Sequence, residues 1–267
     1  MIIKPLWSDS LGAKSFSIYI EVSGKRIIID PGVAVMQRSY PIDKKFLIEW
    51  YMEAYALIKS HLESSDIVII THYHHDHYLW KEEDIPLYSN KTLLIKNPNQ
   101  YINDSQWKRA RNFIGLYASQ MLNTNLEGMM YRPVEKFFPD YVESYKLALS
   151  KDYGDYAERR YELLDKGKTW FLQRAKKWLE GGWIREAESG NNKMLFIDGK
   201  TIRVDDVEIS FTPPLYHGIE YSRTGWVIGL SIKYLGKRLV YTSDIQGPII
   251  EDYASWILRE DPEIIFL

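Results

Sequence analysis

The residues best suited to chemistry in this 267-residue chain are its histidines. Only six occur, and His72, His74, His75 and His77 fall within the run "THYHHDH" of residues 71–77, with Asp76 among them. Neutral imidazole nitrogen and carboxylate oxygen are the ligands zinc accepts where no thiolate is present. None is present here: the chain has no cysteine, which also removes disulfides and cysteine nucleophiles. His72 and His74 are two positions apart, so in an extended segment they point to the same side. Asp76 and His77 follow where the chain should turn, and can face a neighbouring point. The spacing suits a loop that serves two cations side by side. His61 stands alone on a helical segment and reads as an ordinary packing or solvated histidine.

Such a loop needs a rigid mount. The run "DIVIIT" of residues 66–71 is uniformly apolar at its centre, the pattern of a strand buried on both faces, and the histidines leave its C-terminal end. Upstream, residues 15–22 alternate, with Phe16, Ile18, Ile20 and Val22 on one face, as in a half-buried strand. A turn leads to a second apolar strand that Pro31 and Gly32 stop, leaving Asp30 at its end. Asp43 is a predicted N-cap for a helix carrying Leu47, Trp50, Ala54, Leu57 and Ile58. Residues from about 98 to 192 predict a helical insertion, with one helix near 103–122 and a longer charged one near 155–180, stopped by Gly181 and Gly182. Short β segments return from Met194, and a helix near 250–258 precedes a last strand. This order predicts two packed sheets flanked by helices, in a single domain over residues 1–267.

Bulk properties narrow the function. Hydrophobic residues make up 45% of the chain, enough for a sizeable core. The net charge of −2 gives no overall pull towards nucleic acid or anionic membrane. No segment approaches the roughly 18 apolar residues of a membrane span, and residues 1–10 do not read as a signal peptide. The expectation is a cytoplasmic protein acting on a small molecule or a phosphodiester. Nucleic acid is the less favoured partner, and the oligomeric state is left open.

The run at residues 71–77 resembles the H-x-H-x-D-H signature of the metallo-β-lactamase superfamily. Three further positions match in order, each closing a predicted β segment: Asp30 after "RIII", His217 in "TPPLYHG" and Asp244 in "LVYTSD". The resemblance implies an α/β fold, the metallo-β-lactamase-like αββα sandwich, here with a helical insertion. It implies that His72, His74 and His217 hold one metal, that Asp76 and His77 hold a second, that Asp244 bridges the two, and that Asp30 supports the site from behind. The implied cofactor is zinc, one or two ions, with manganese or iron as alternatives. The implied reaction is hydrolysis of an ester, thioester, lactone or phosphodiester by metal-bound hydroxide, with Asp76 and Asp244 as the catalytic carboxylates. Oxygen-reducing relatives usually carry Glu at the position of His74, so the imidazole favours hydrolysis over redox chemistry.

Four stretches, "SDSLGAKSFSIYIE", "IDPGVAV", "INDSQWKRARNF" and "PPLYHG", resemble a mainly archaeal branch of that superfamily, which sharpens the fold more than the substrate. The superfamily usually adds a final histidine after the last strand. No histidine follows Asp244 here. The expectation is that a C-terminal segment is missing from this chain, or that the second site rests on Asp76, His77 and Asp244 alone. The second alternative keeps open a non-catalytic metal-binding protein of the same fold, serving regulation or assembly.

Substrate contacts are sought beside the ligands. Arg223, Tyr73 and Tyr216 are the candidates, with Trp80 a further pocket residue. Lys108, Arg109 and Arg111 can grip a phosphate or carboxylate, or form a solvated basic face. His75, the variable position of the signature, is not expected to be a ligand. Asp244 has a plain alternative as a turn residue beside Ser243 and Gly247.

Overall fold

A computed structural model describes residues 1–37, 39–134 and 137–267. The apolar run of the histidine segment forms the strand Ile67–Ile70, parallel to Lys25–Ile29 on one side and Thr92–Ile95 on the other. A strand paired on both edges and covered on both faces must be apolar throughout. Ile67 and Ile69 point between the two sheets, whereas Val68 and Ile70 point at the helices. The first sheet runs Ile2–Ser8, Phe16–Val22, Lys25–Ile29, Ile67–Ile70, Thr92–Ile95, Asn192–Phe196, Ala187–Ser189. The second runs Thr201–Val204, Val207–Phe211, Leu230–Tyr234, Lys237–Tyr241, Ile264–Phe266, and is antiparallel except for its last pair. Ile18, Ile20, Ile29, Ile209, Leu230 and Leu239 belong to the core between them.

The helix Lys44–Ser64 starts where Asp43 accepts a hydrogen bond from Lys45 N at 3.0 Å. It buries Leu47, Ala54, Ile58 and Leu62. Leu57, expected on that face, is exposed, because the stripe meeting the sheet is narrower than the apolar pattern. With helices outside the first sheet and Glu251–Glu260 against Lys237–Tyr241 of the second, the layers form the αββα sandwich.

The segment between the histidine loop and His217 contains two long helices, Asp104–Met121 and Ala157–Glu180, joined by short helices and turns. Phe171 and Trp178 of the second pack with Tyr101 and Trp226 in an aromatic cluster. Trp170 also stacks on Trp226, with ring centroids 5.5 Å apart. The segment is thus anchored to the short strand Trp226–Val227, which pairs with Leu215–Tyr216 just before His217. Its tail is not helical. Ala187–Ser189 returns to the first sheet as an edge strand, too short and polar to show a period. The opening strand Ile2–Ser8 was equally unreadable. It carries Pro5, tolerated because the strand lies at an edge, and a register shift follows between Pro5 and Trp7. Among the described residues no helix is long and apolar enough to cross a membrane.

One close approach fixes the histidine loop to this frame. Leu79 N donates to Pro31 O at 2.9 Å, and a Cβ at Gly32 would lie 2.0 Å from Tyr78 N. Gly32→Ala is therefore expected to push the loop off the strand end and destabilise the protein by about 1–3 kcal/mol. An unchanged urea-unfolding midpoint would show that the loop moves freely.

Candidate metal centre

Each candidate donor leaves the end of a strand or the turn beyond it. Thr71 N donates to Asp30 Oδ1 at 2.8 Å, and Ile228 N donates to Thr71 O at 3.1 Å, which fixes the exit of the strand before His72. The chain then turns, with His77 N donating to His74 O at 3.0 Å. His77 folds back until its ring centroid is 4.0 Å from that of His72. His217 arrives from the second half of the chain, its N–H bonded to Gly225 O at 3.0 Å. Asp244 arrives beyond Lys237–Tyr241 through Ser243, which sits at φ 56°, an uncommon left-handed conformation for a residue with a side chain.

The donors converge. Ring centroids lie 4.6 Å apart for His72 and His74, 5.1 Å for His74 and His217, and 5.6 Å for His72 and His217. One donor atom from each of His72, His74, His217 and Asp244 lies within 4.8 Å of the others. Donors so spaced can share one cation at bond lengths of about 2.0–2.2 Å after small side-chain adjustments. Asp244 Oδ2 is 3.2 Å from His77 Nε2 and 3.4 Å from His217 Nε2, so it touches one histidine of each expected set. Asp76 stands outside the four-donor group, half-buried. It lines both a cleft of about 650 Å³ over these residues and a smaller polar cavity of about 320 Å³, each shared with Asp244.

Behind the donors lies Asp30, fully buried and itself in the left-handed region at φ 47°. Its Oδ2 accepts from Thr71 Oγ1 at 2.6 Å and from His77 Nδ1 at 2.9 Å, and lies 2.8 Å from the Tyr241 hydroxyl. Asp30, His72 and His77 also form a close triad of potential donors. The carboxyl oxygens of Asp30 are engaged by these hydrogen bonds, the arrangement expected of a residue that supports the site from behind. Thr71 Oγ1 and Ser243 Oγ stand 3.2 and 3.4 Å from His72 Nδ1. With Nδ1 facing these hydroxyls, Nε2 is the ring atom turned towards the other donors, 3.1 Å from His74 Nδ1.

The electrostatics follow from burial and charge. Burial, and then the neighbouring His77 and His74, hold His72 well below the ordinary imidazole range, so it is neutral and able to donate to a cation. Burial, followed by His217 and His77, pushes His74 down likewise. Burial would lower His77 too, but the Asp244 and Asp30 carboxylates override it and hold His77 well above its ordinary value. A cation at His77 Nε2 therefore replaces a proton. Asp244 is held well below the carboxylate range: burial opposes this, and His77 and His217 outweigh it.

Two residues not anticipated from the sequence tie the site together. Asn103 caps the helix Asp104–Met121 by accepting from Gln106 N at 2.8 Å, and donates through Nδ2 to the Arg223 and Thr224 carbonyls at 2.9 Å. Gln106, fully buried, accepts from Tyr73 N at 3.2 Å and donates to Thr224 O at 2.9 Å. Its Nε2 also lies 3.4 Å from His74 Nε2. One side chain thus clamps the histidine loop to the His217 loop. The Asn-x-x-Gln spacing is readable as a capping signal, but nothing local reveals its tertiary partners. Asp9 is a third such residue. It ends the strand region Ile2–Ser8 and lines the same cleft, its carboxyl raised by burial, despite the Ser15 N–H, and by Asp76 and Asp244.

The expected substrate contacts lie elsewhere. Tyr73 is fully buried with its hydroxyl bonded to Lys96 O, and Tyr216 is packed on Trp226 and Tyr221. Arg223 is exposed, and its neighbour Thr224 lines the cleft instead. Arg111 stacks on Trp107 at 3.7 Å. His75 stacks on Trp80, ring centroids 4.1 Å apart, and is pushed down to about 4 by burial and then by Arg109. His61 packs edge-on against Tyr19, as expected of a structural histidine.

With this geometry and topology in view, the family is clear. The chain belongs to the metallo-beta-lactamase superfamily, whose sequence model matches residues 12–145. It sits in an archaeal branch. It is similar to the UPF0282 proteins of Methanocaldococcus jannaschii (28% identical over 100% of this chain and 70% of the relative) and Korarchaeum cryptofilum (29% identical, 100% and 65%). The chain thus spans about two thirds of the length of these relatives. Among solved structures it is similar to the isothiocyanate hydrolase from Delia radicum gut bacteria, at 14% identity and a TM-score of 0.44, covering 95% of this chain and 68% of that one.

Asp30→Asn sets an amide N–H₂ or a weaker acceptor against His77 and Thr71. It is expected to keep the fold and lower zinc affinity about 10–100-fold. Gln106→Leu is expected to lower it in the same range, because the two ligand loops lose their clamp. Competition with a chromogenic chelator reads both, and parent-like affinity in either variant would reduce that residue to packing.

Proposed function

We propose that the chain is a metal-dependent hydrolase, using one or two zinc ions on an ester, thioester, lactone or phosphodiester. The observation that carries this reading is the convergence of His72, His74, His217 and Asp244 within 4.8 Å beneath an open cleft. In this reading His72, His74 and His217 would hold the first ion. Asp76 and His77 would serve the second ion, with Asp244 shared between the two. Zinc so held supplies Lewis acidity and a water of lowered pKa.

The chain's own residues do the rest. Asp30 and Thr71, in contact with the Nδ1 atoms of His77 and His72, orient those rings so that Nε2 faces the site. The full burial of His72 shuts bulk water out from behind the donors. Asp9 borders the cleft with its carboxylate held by the Ser15 N–H at 2.9 Å.

The test pairs metal analysis with turnover. The parent is expected to bind zinc and to hydrolyse at least one of a generic phosphodiester, thioester or lactone. Asp244→Asn should keep the fold, lose the second ion and lose turnover by about a hundredfold or more. Tight metal binding with no turnover of any of the three classes would favour a regulatory or assembly role. Unchanged stoichiometry and turnover in Asp244→Asn would make it a turn residue and end the two-metal reading.

A further inference from the structure

The helix Asp104–Met121 walls the metal cleft on one side and, on the other, lines a second cavity of about 670 Å³. His75 and Arg109 line both, and so form the ridge between them. The second cavity has an apolar surface from Trp80, Leu116 and Leu126 and a cationic edge from Lys108 and Arg109.

The three basic residues of this stretch have different fates. Arg111 is committed to the fold: it stacks on Trp107 and donates to the carbonyls of Pro98 at 3.4 Å and Gly182 at 2.5 Å. Lys108 is exposed. Arg109 is half-buried, yet among the described residues it makes no hydrogen bond and has no carboxylate partner. Its charge acts on His74, His75 and Tyr78, and Asp76, which shares the metal cleft with it and acts on the same two histidines, makes no ion pair or hydrogen bond with it. A guanidinium drawn partly out of water without a directly bonded counter-charge loses hydration that no hydrogen bond among the described residues replaces. An anion in the cavity replaces it, and the planar fork of arginine matches a carboxylate or phosphate with two parallel hydrogen bonds. Beside it, His75 lies flat on Trp80 at an interplanar angle of 14°, and the pair offers a broad apolar face.

We propose that this cavity is a binding subsite for small molecules with an anionic head, carboxylate or phosphate, on an apolar body. Arg109 takes the head with Lys108 outside it, and the body lies on Trp80, Leu116 and Leu126. Because Arg109 and His75 also border the cleft over the metal donors, a molecule anchored here extends towards them. The inference rests on the hydrolase reading only in calling that molecule the substrate; the binding site itself does not need it.

The test is calorimetric titration of the full chain, zinc-loaded and after chelation, with naphthoate, naphthylphosphonate and the neutral naphthamide. Both anions are expected to bind in both metal states, and naphthamide at least about tenfold more weakly. Arg109→Gln should weaken the anions at least about tenfold and leave naphthamide unchanged, with zinc content and melting midpoint as in the parent. Leu126→Glu, which sets a negative charge on the apolar side, should weaken the anions without altering Arg109, and serves if Arg109→Gln does not fold. The ratio of the two anion affinities tells carboxylate from phosphate. Equal anion affinity in the variants and the parent, anion binding abolished by chelation, or no preference for the anions over naphthamide would each overturn the subsite. Anion binding without turnover would overturn the hydrolase and leave the subsite standing. Turnover of neutral substrates with no anion preference would do the reverse.

Discussion

The site depends on one buried carboxyl. Asp30 ends a central strand of the first sheet, receives the backbone and hydroxyl of Thr71 from the next strand, orients His77, and lies against Tyr241 of the second sheet. Removing a polar group from water is costly unless every hydrogen-bonding position is filled. That demand is met only when both sheets and the histidine loop are in register. The left-handed backbone at Asp30 makes the same point: a residue held in a sparsely populated conformation persists where its surroundings over-determine it. The metal donors are therefore positioned by the polar seam between two sheets rather than by their own loop.

The part of this arrangement that could be read in advance was whatever is local or periodic. Ile67–Ile70 announces a doubly buried strand, Asp43 a helix start, and the histidine run a loop of clustered potential donors. Asp30, His217 and Asp244 were legible through their order along the chain, since nothing within a few residues of each identifies it. Tyr73 and Tyr216 were drawn to the cleft by adjacency to ligands. Side chains alternate along an extended chain, so the neighbour of an inward-facing histidine faces the core, and both tyrosines are buried there. Ile2–Ser8 was hidden by Pro5, and with it went Asp9 at the cleft. Gln106 was hidden for a different reason. Its bonds reach Tyr73 and Thr224, 33 and 118 residues away, and no local pattern encodes such partners.

The segment inserted between the two halves of the donor set does more than cover the sheet. Its first helix supplies the clamp that ties the two candidate donor loops, and it also carries Arg109, which has no ion-pair partner among the described residues. Its long second helix is fixed by tryptophan packing to the strand beside His217. Ligand geometry and the wall of the cleft are thus set by one rigid element, so a substitution in that helix can alter metal affinity and ligand preference together.

The distances along the chain between the parts of this seam have a consequence for how the protein comes into being. Asp30 meets Tyr241 across 211 residues, and Thr71 meets Ser243 across 172. Contacts that distant form late, because the loops they close are long and their ordering entropy is lost before the contacts compensate. During synthesis the histidine run emerges well before His217 and Asp244, with only part of the candidate donor set in place. On the proposed metal-site reading, the complete donor set exists only once the strand Lys237–Tyr241 docks, so a tightly bound metal would mark a chain that has completed its sandwich.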